Sequence, residues 1–165
     1  MIIAVLSGPI IAVQVTRHLD NKREKYERKL QVFKALMTTR NYTISWDHVA
    51  ALNRIDLEFN KKNSKEKAVV ESWKEYLDLL NDKNMPPEQW GDKRVDLLVK
   101  LLHKMAHVLD YDFDKTHIKN SSYSPIAHGN AEDQQNALRM GLIEVLDGKR
   151  TIPMTITNFP ISDKN

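Results

Sequence analysis

Apolar residues recur along most of this chain at the three- and four-residue steps of a helix face, and the recurrence stops at recognisable punctuation. The first stretch, residues 2–13 (IIAVLSGPIIAV), carries no charge at all. Beyond it Leu19, Arg23, Tyr26, Leu30, Phe33 and Met37 follow at steps of four, three, four, three and four. That is a short heptad-like seam with one arginine in it. It reads first as a stripe packed on the protein's own body, and second as a self-association seam. Ser45 is a suitable N-cap for a helix carrying Trp46, Val49 and Leu52 on one side, continued by Leu57 or Phe59. Residues 60–64 form a polar connector. Ser64 then caps a helix over 65–80, with Val69, Val70, Trp73, Tyr76, Leu77 and Leu80 on its apolar face.

Asn81-Asp82-Lys83-Asn84 ends that helix, and Pro86-Pro87 suits a loop or a first helical turn. The strongest amphipathic segment is 92–109, where Val95, Leu98, Leu102, Met105, Ala106 and Leu109 make one stripe. Residues 110–129 lose the periodicity. Asn130 caps a last helix over 131–146, ended by Gly148, with Ala137, Leu138, Leu142, Val145 and Leu146 toward a core. Residues 151–165 form a C-terminal arm. The expected fold is all-α: an N-terminal apolar helix continuing into a cytoplasmic helical bundle of about four to five helices. Its parts are a membrane-inserted helix at 1–16, a juxtamembrane helix at 17–40, a helical domain at 41–150, and the arm.

Charge sharpens the reading of the start. Immediately after the apolar run come Arg17, Lys22, Arg23, Lys25, Arg28 and Lys29, offset by Asp20, Glu24 and Glu27. A positive flank after an apolar segment predicts a single pass through the inner membrane with the body in the cytoplasm. The membrane-facing residues are Ile2, Ile3, Val5, Leu6, Gly8, Pro9, Ile10, Ile11 and Val13. As a helix, 1–16 measures about 24 Å against a hydrocarbon core of about 30 Å. Local thinning and snorkelling of Arg17 cover the difference, as would a start upstream of Met1. A secretory signal fits less well, because the positive charges follow the apolar run and no A-x-A cleavage pattern appears. A buried core helix of a soluble protein is the other alternative.

Composition removes several classes. Without cysteine there are no disulfides, thiolate metal sites or cysteine nucleophiles. A net charge of +3 with acidic and basic residues interspersed shows no basic stripe for nucleic acid. There is no Gly-rich phosphate loop, Walker loop, dinucleotide fingerprint or G-x-S-x-G, and no cofactor is expected. The aperiodic stretch 110–129 is the place for chemistry, since long loops in compact domains are often functional. Its candidates are Asp114, Lys115, His117, Lys119, Tyr123 and His128, a set suited to an anionic ligand or a subunit contact. A hydrogen-bonded loop folded over the 92–109 helix is the simpler account. Asp110, Asp112 and Asp114 alternate as in a calcium loop, but Lys115 and Ser121 replace the required glycine and glutamate, so helix capping explains them better. His103 and His107 share a helix face and, with His117, His128 or Asp110, would approach a zinc set. Lys104 stands where an H-E-x-x-H motif needs glutamate, and no metal is expected.

The segments LSGPIIAVQVTR, LQVFKALMTTR, VAALNRIDLEF and VVESWKEYLDLLN resemble a family of small bacterial membrane-anchored proteins of unknown function. The later LLVKLLHKMAHVLDYDFDKTHIKNSSYSP and LRMGLIEVLDGKRTIPM resemble it too. The resemblance implies an apolar N-terminal helix running into a helical body. It also implies a recurring pattern at Tyr111, Phe113, Asp114, Lys115, Ile118, Tyr123, Pro125 and His128, and it brings no activity. Three functions therefore compete. The first is a membrane-anchored structural or interaction protein that forms a homo-oligomer, with Gly8 allowing close helix approach. The second is a membrane-tethered effector or enzyme, for example in stress or phage defence, using the 110–129 loop. The third is a soluble helical adaptor with a buried N-terminal helix.

Overall fold

The computed structural model describes the backbone of residues 2–155 and 157, and the side chains of residues 11–155 and 157. Among the described residues there are seven helices and no strand: α1 Ile2–Thr39, α2 Trp46–Asn53, α3 Ile55–Glu58, α4 Ser64–Asn81, α5 Pro87–Val108, α6 Lys115–Asn120 and α7 Ile126–Leu146. They fall into two compact units, Met1–Ser122 and Tyr123–Asn165.

In the first unit α1 runs for 38 residues, about 57 Å, without a break at the 16/17 boundary. Its outer part, residues 11–27, is exposed throughout. From Leu30 on it joins the core through Val32, Phe33 and Leu36. The expected seam thus packs on the body at Leu30 and Phe33 and stands free at Leu19. Part-buried ion pairs fasten the helix at the point where it meets the body. Lys29 Nζ lies 2.7 Å from Glu66 Oε1 on α4, and Glu66 Oε2 accepts from the Asn60 amide at 2.7 Å. Arg28 Nε donates to Glu58 Oε2 on α3 at 3.0 Å. Further along, the Tyr26 hydroxyl donates to Leu109 O and Arg40 Nε to Ile118 O.

Ser45 caps α2 as expected, its hydroxyl accepting from the His48 amide. The face α2 buries differs from the expected one. His48, Ala51 and Leu52 are inside, whereas Trp46 is 90% exposed and Val49 is exposed. An eight-residue helix buries one narrow strip, and here α1 and α3 take the side that begins at His48. The helix α4 begins at Ser64 with Asn63, not Ser64, as its cap, the Asn63 side chain accepting from Lys65 N. Its stripe of Val69, Val70, Trp73 and Tyr76 packs along Leu97, Leu98, Leu101, Leu102 and Met105 of α5. The helix α5 starts earlier than the periodicity alone indicated, because Pro87 occupies the first turn at no hydrogen-bond cost. It ends in a left-handed residue, Asp110 (φ 58°), after which Tyr111 N–H donates back to Ala106 O at 3.0 Å.

The second unit holds α7, which begins at Ile126 after Pro125 rather than at the expected Asn130 cap. A proline ahead of the helix fixes the entry without a side-chain cap. None of its residues is buried. Leu138 and Leu146, expected to face a core, are 75% and 77% exposed. A single helix has no second apolar face to close upon. Gly148 (φ 71°) ends it, with Lys149 N–H donating to Glu144 O at 2.8 Å.

Among the described residues no helix is long and apolar enough to cross a membrane, so the expected spanning segment finds no support there. The side chains of Ile2, Ile3, Val5, Leu6, Gly8, Pro9 and Ile10 lie outside the described residues. Ile11 and Val13 are 59% and 50% exposed.

Candidate functional site

The stretch expected to be an aperiodic loop contains a short helix and the start of α7. Asp114 caps α6, its Oδ1 accepting from His117 N at 2.7 Å, which is the capping role expected of the aspartates. The His117 ring stacks on Phe113 at 5.1 Å and meets Ser121 Oγ at 3.2 Å. Lys119 Nζ pairs with Asp96 on α5 at 3.0 Å, and Lys115 lies beside it along a shallow depression shared with Thr116. Tyr111 and Phe113 stack on each other at 5.5 Å and against Phe33 of α1. Ile118 is fully buried. Residues 111–120 therefore fold over α1 and α5, with Asp114, Lys115, His117 and Lys119 on one short element. Tyr123 and His128 belong to the second unit, where both are exposed.

His103 and His107 do meet, with Nε2 atoms 3.2 Å apart. His103 Nδ1 lies 2.9 Å from Phe113 O, and a carbonyl only accepts, so that nitrogen carries the proton. His107 then donates to His103 Nε2. Among the described residues no group of three His, Cys, Asp or Glu side chains is placed to hold a metal.

A different cluster, in the first unit, stands out on hydrogen bonding. His48 on α2, Tyr76 on α4 and Arg94 on α5 each bring a buried polar atom with no partner: His48 Nε2, Tyr76 OH and Arg94 Nε. Native interiors leave few such atoms. His48 Nδ1 is 2.8 Å from Thr39 Oγ1, and Thr39 gives its own hydrogen to Ala35 O at 2.6 Å. The Thr39 oxygen can thus only accept, which places the imidazole proton on Nδ1 and leaves Nε2 a bare lone pair. Burial, then the Arg94 guanidinium, push the His48 pKa down to about 4, so the ring is neutral at pH 7. Burial raises the Tyr76 pKa against the opposing pull of Arg94. Both groups therefore feel the same guanidinium.

Tyr76 and Arg94 line a cavity of about 470 Å³ between α2, α4 and α5, bounded also by Thr43, Ile44, Val49, Leu52, Asn53, Trp73, Leu77, Leu80 and Trp90. The indole N–H groups are committed elsewhere: Trp73 Nε1 donates to Asp56 at 3.2 Å and Trp90 Nε1 to Leu79 O at 3.1 Å. The indoles therefore contribute apolar surface. Arg94 lies over the Trp90 ring at 5.2 Å and donates through Nη1 to Thr43 Oγ1. Among the described residues no carboxylate pairs with it. Sequence reasoning passed over these residues because Trp73 and Tyr76 fall on the apolar stripe of α4, and Arg94 adjoins that of α5. The available signal was a tyrosine and a tryptophan, each with a polar tip, inside an otherwise aliphatic stripe.

The chain matches, over residues 1–165, the model of a family of unknown function, DUF6680, and it belongs to that family. No curated protein and no solved structure matches it.

Proposed function

We propose that this member of the family is a helical interaction protein held at a lipid bilayer by the opening turns of α1, with its folded units on the cytoplasmic side of an inner membrane. One observation carries the reading: the apolar side chains of the outer half of α1, Ile11, Val13, Val15 and Leu19, are all at least half exposed. The first three belong to an uncharged run that begins at Ile2 and ends before Arg17, and water is a poor solvent for such a run. Arg17, Lys22, Arg23 and Lys25 follow on the same exposed helix, where cations beside anionic headgroups contribute about 1 kcal/mol each. Copies held in this way then associate along α1, with Gly8 permitting close approach.

The test is flotation of the full chain with anionic phospholipid vesicles in high salt, beside a chain lacking residues 1–16. The full chain floats. The shortened chain stays in the aqueous layer with an unchanged melting curve, because the buried part of α1 begins at Leu30. A full chain that remains aqueous refutes attachment, and a shortened chain that no longer folds favours the soluble adaptor. Mass measurement in mild detergent checks association, and a strict monomer at high concentration removes it.

A further inference from the structure

We propose that the cavity between α2, α4 and α5 binds a small monocarboxylate with a flat apolar body, its carboxylate seated on Arg94 and Tyr76. This goes beyond attachment to a membrane and does not depend on it. Arg94 brings one full positive charge to the cavity wall, its neighbours there are neutral, and no carboxylate pairs with it among the described residues. Arg40 makes a useful contrast, since its guanidinium is spent on the carbonyls of Met37 and Ile118. Arg94 spends Nη1 on Thr43 and keeps Nε without a partner. The Nε edge of a guanidinium is one that can take the two oxygens of a carboxylate side by side.

Tyr76 supplies the second, independent feature. The side chain is 0% exposed, lines the cavity, and has a hydroxyl with no acceptor. A phenol in hydrocarbon surroundings without a hydrogen bond is costly, and phenylalanine would fit the same stripe without that cost. An oxyanion on Arg94 gives the phenol its acceptor. A water molecule would satisfy the hydrogen bonds and leave the charge unmatched.

The remaining walls define the rest of the ligand. Trp73, Trp90, Leu52 and Leu80 present apolar surface, and both indole N–H groups are already used. The volume lies within the span of small-molecule pockets, which are mostly apolar with a few convergent polar groups. One cation suits a monoanion better than a phosphate dianion. Ile44 and Leu77, both exposed, form a rim through which a ligand can enter.

The test uses the full chain in mild detergent with Trp46→Phe, which leaves Trp73 and Trp90 as the fluorescent reporters and alters only a side chain far out in solvent. Naphthoate, its neutral amide and inorganic phosphate are titrated separately, with equilibrium dialysis of naphthoate as a second readout. Naphthoate binds saturably and shifts the emission, and the amide binds at least about tenfold more weakly. Arg94→Lys keeps the charge but loses the fork and weakens naphthoate by about tenfold, while Tyr76→Phe weakens it less. Melting curves accompany each variant. Where Arg94→Lys does not fold, the acid-to-amide ratio on the unaltered site decides. Equal affinity for acid and amide, displacement of naphthoate by inorganic phosphate, or no saturation into the millimolar range each overturns the proposal. None of these outcomes bears on vesicle flotation, so the two readings fail separately.

Discussion

Residues 11–27 and 28–39 belong to one unbroken helix, yet only the second stretch buries side chains in the core of its unit. The inner stretch presents Leu30, Val32, Phe33 and Leu36 to the core and is fastened by Arg28 and Lys29 to carboxylates on α3 and α4. The outer stretch has comparable apolar content at Ile11, Val13, Val15 and Leu19, but these four side chains stand exposed. Secondary structure alone therefore does not tell the two apart. Helical propagation runs on once a stable turn exists, whereas most helical stability comes from packing one face. The inner half is a core element, and the outer half is a presented surface.

The sharpest way to break that contrast is to damage the inner half. Leu36→Ala removes a fully buried side chain and should lower unfolding free energy by about 2–5 kcal/mol in urea titration. The next effect comes through His48, whose Nδ1 meets Thr39 at the inner end of α1. Its pKa falls from 6.5 to about 4 on folding, so between those values the unfolded chain binds more protons. Stability should be complete above pH 6.5 and decline as the pH drops toward 4, by up to about 3 kcal/mol. His48→Gln should flatten that slope in melting curves recorded across the interval. At the small end, Ile11→Ser and Leu19→Ser should change unfolding free energy by less than about 0.5 kcal/mol while reducing vesicle flotation. A large loss of stability from either would mean that the outer half has a partner within the fold.

Much of the helical order is legible without coordinates. Ser45 at the start of α2 and most of the stripes of α4 and α5 follow from caps and periodicity, although Leu77 and Val95, expected on those stripes, lie at their edges and are exposed. What escaped has physical reasons. Asn63 and Ser64 are both good caps, and only local backbone geometry selects the asparagine. Pro125 starts α7 ahead of Asn130 because a fixed φ can open a helix without a side-chain cap. The apolar residues of α7 predicted a core, but periodicity describes a face and says nothing of what lies opposite. The Arg94 cavity was invisible for a related reason. It is assembled from three helices, and its unpartnered atoms are defined by what their neighbours do with their own hydrogen bonds. The 110–129 candidates were conspicuous in the sequence because they were polar, and in the fold Asp114, His117 and Lys119 are engaged with a backbone amide, a ring and a carboxylate.

The chain leaves α5 and α7 through the same device, a left-handed residue (Asp110 in one, Gly148 in the other) followed by an N–H that donates to the carbonyl five residues back. The shared requirement is handedness, which glycine meets freely and an L-residue meets at a cost of about 1 kcal/mol. Acidity at position 110 is then incidental to its place in the chain. Glycine or asparagine would carry Tyr111 and Phe113 back over Phe33 equally well, and valine or isoleucine would not.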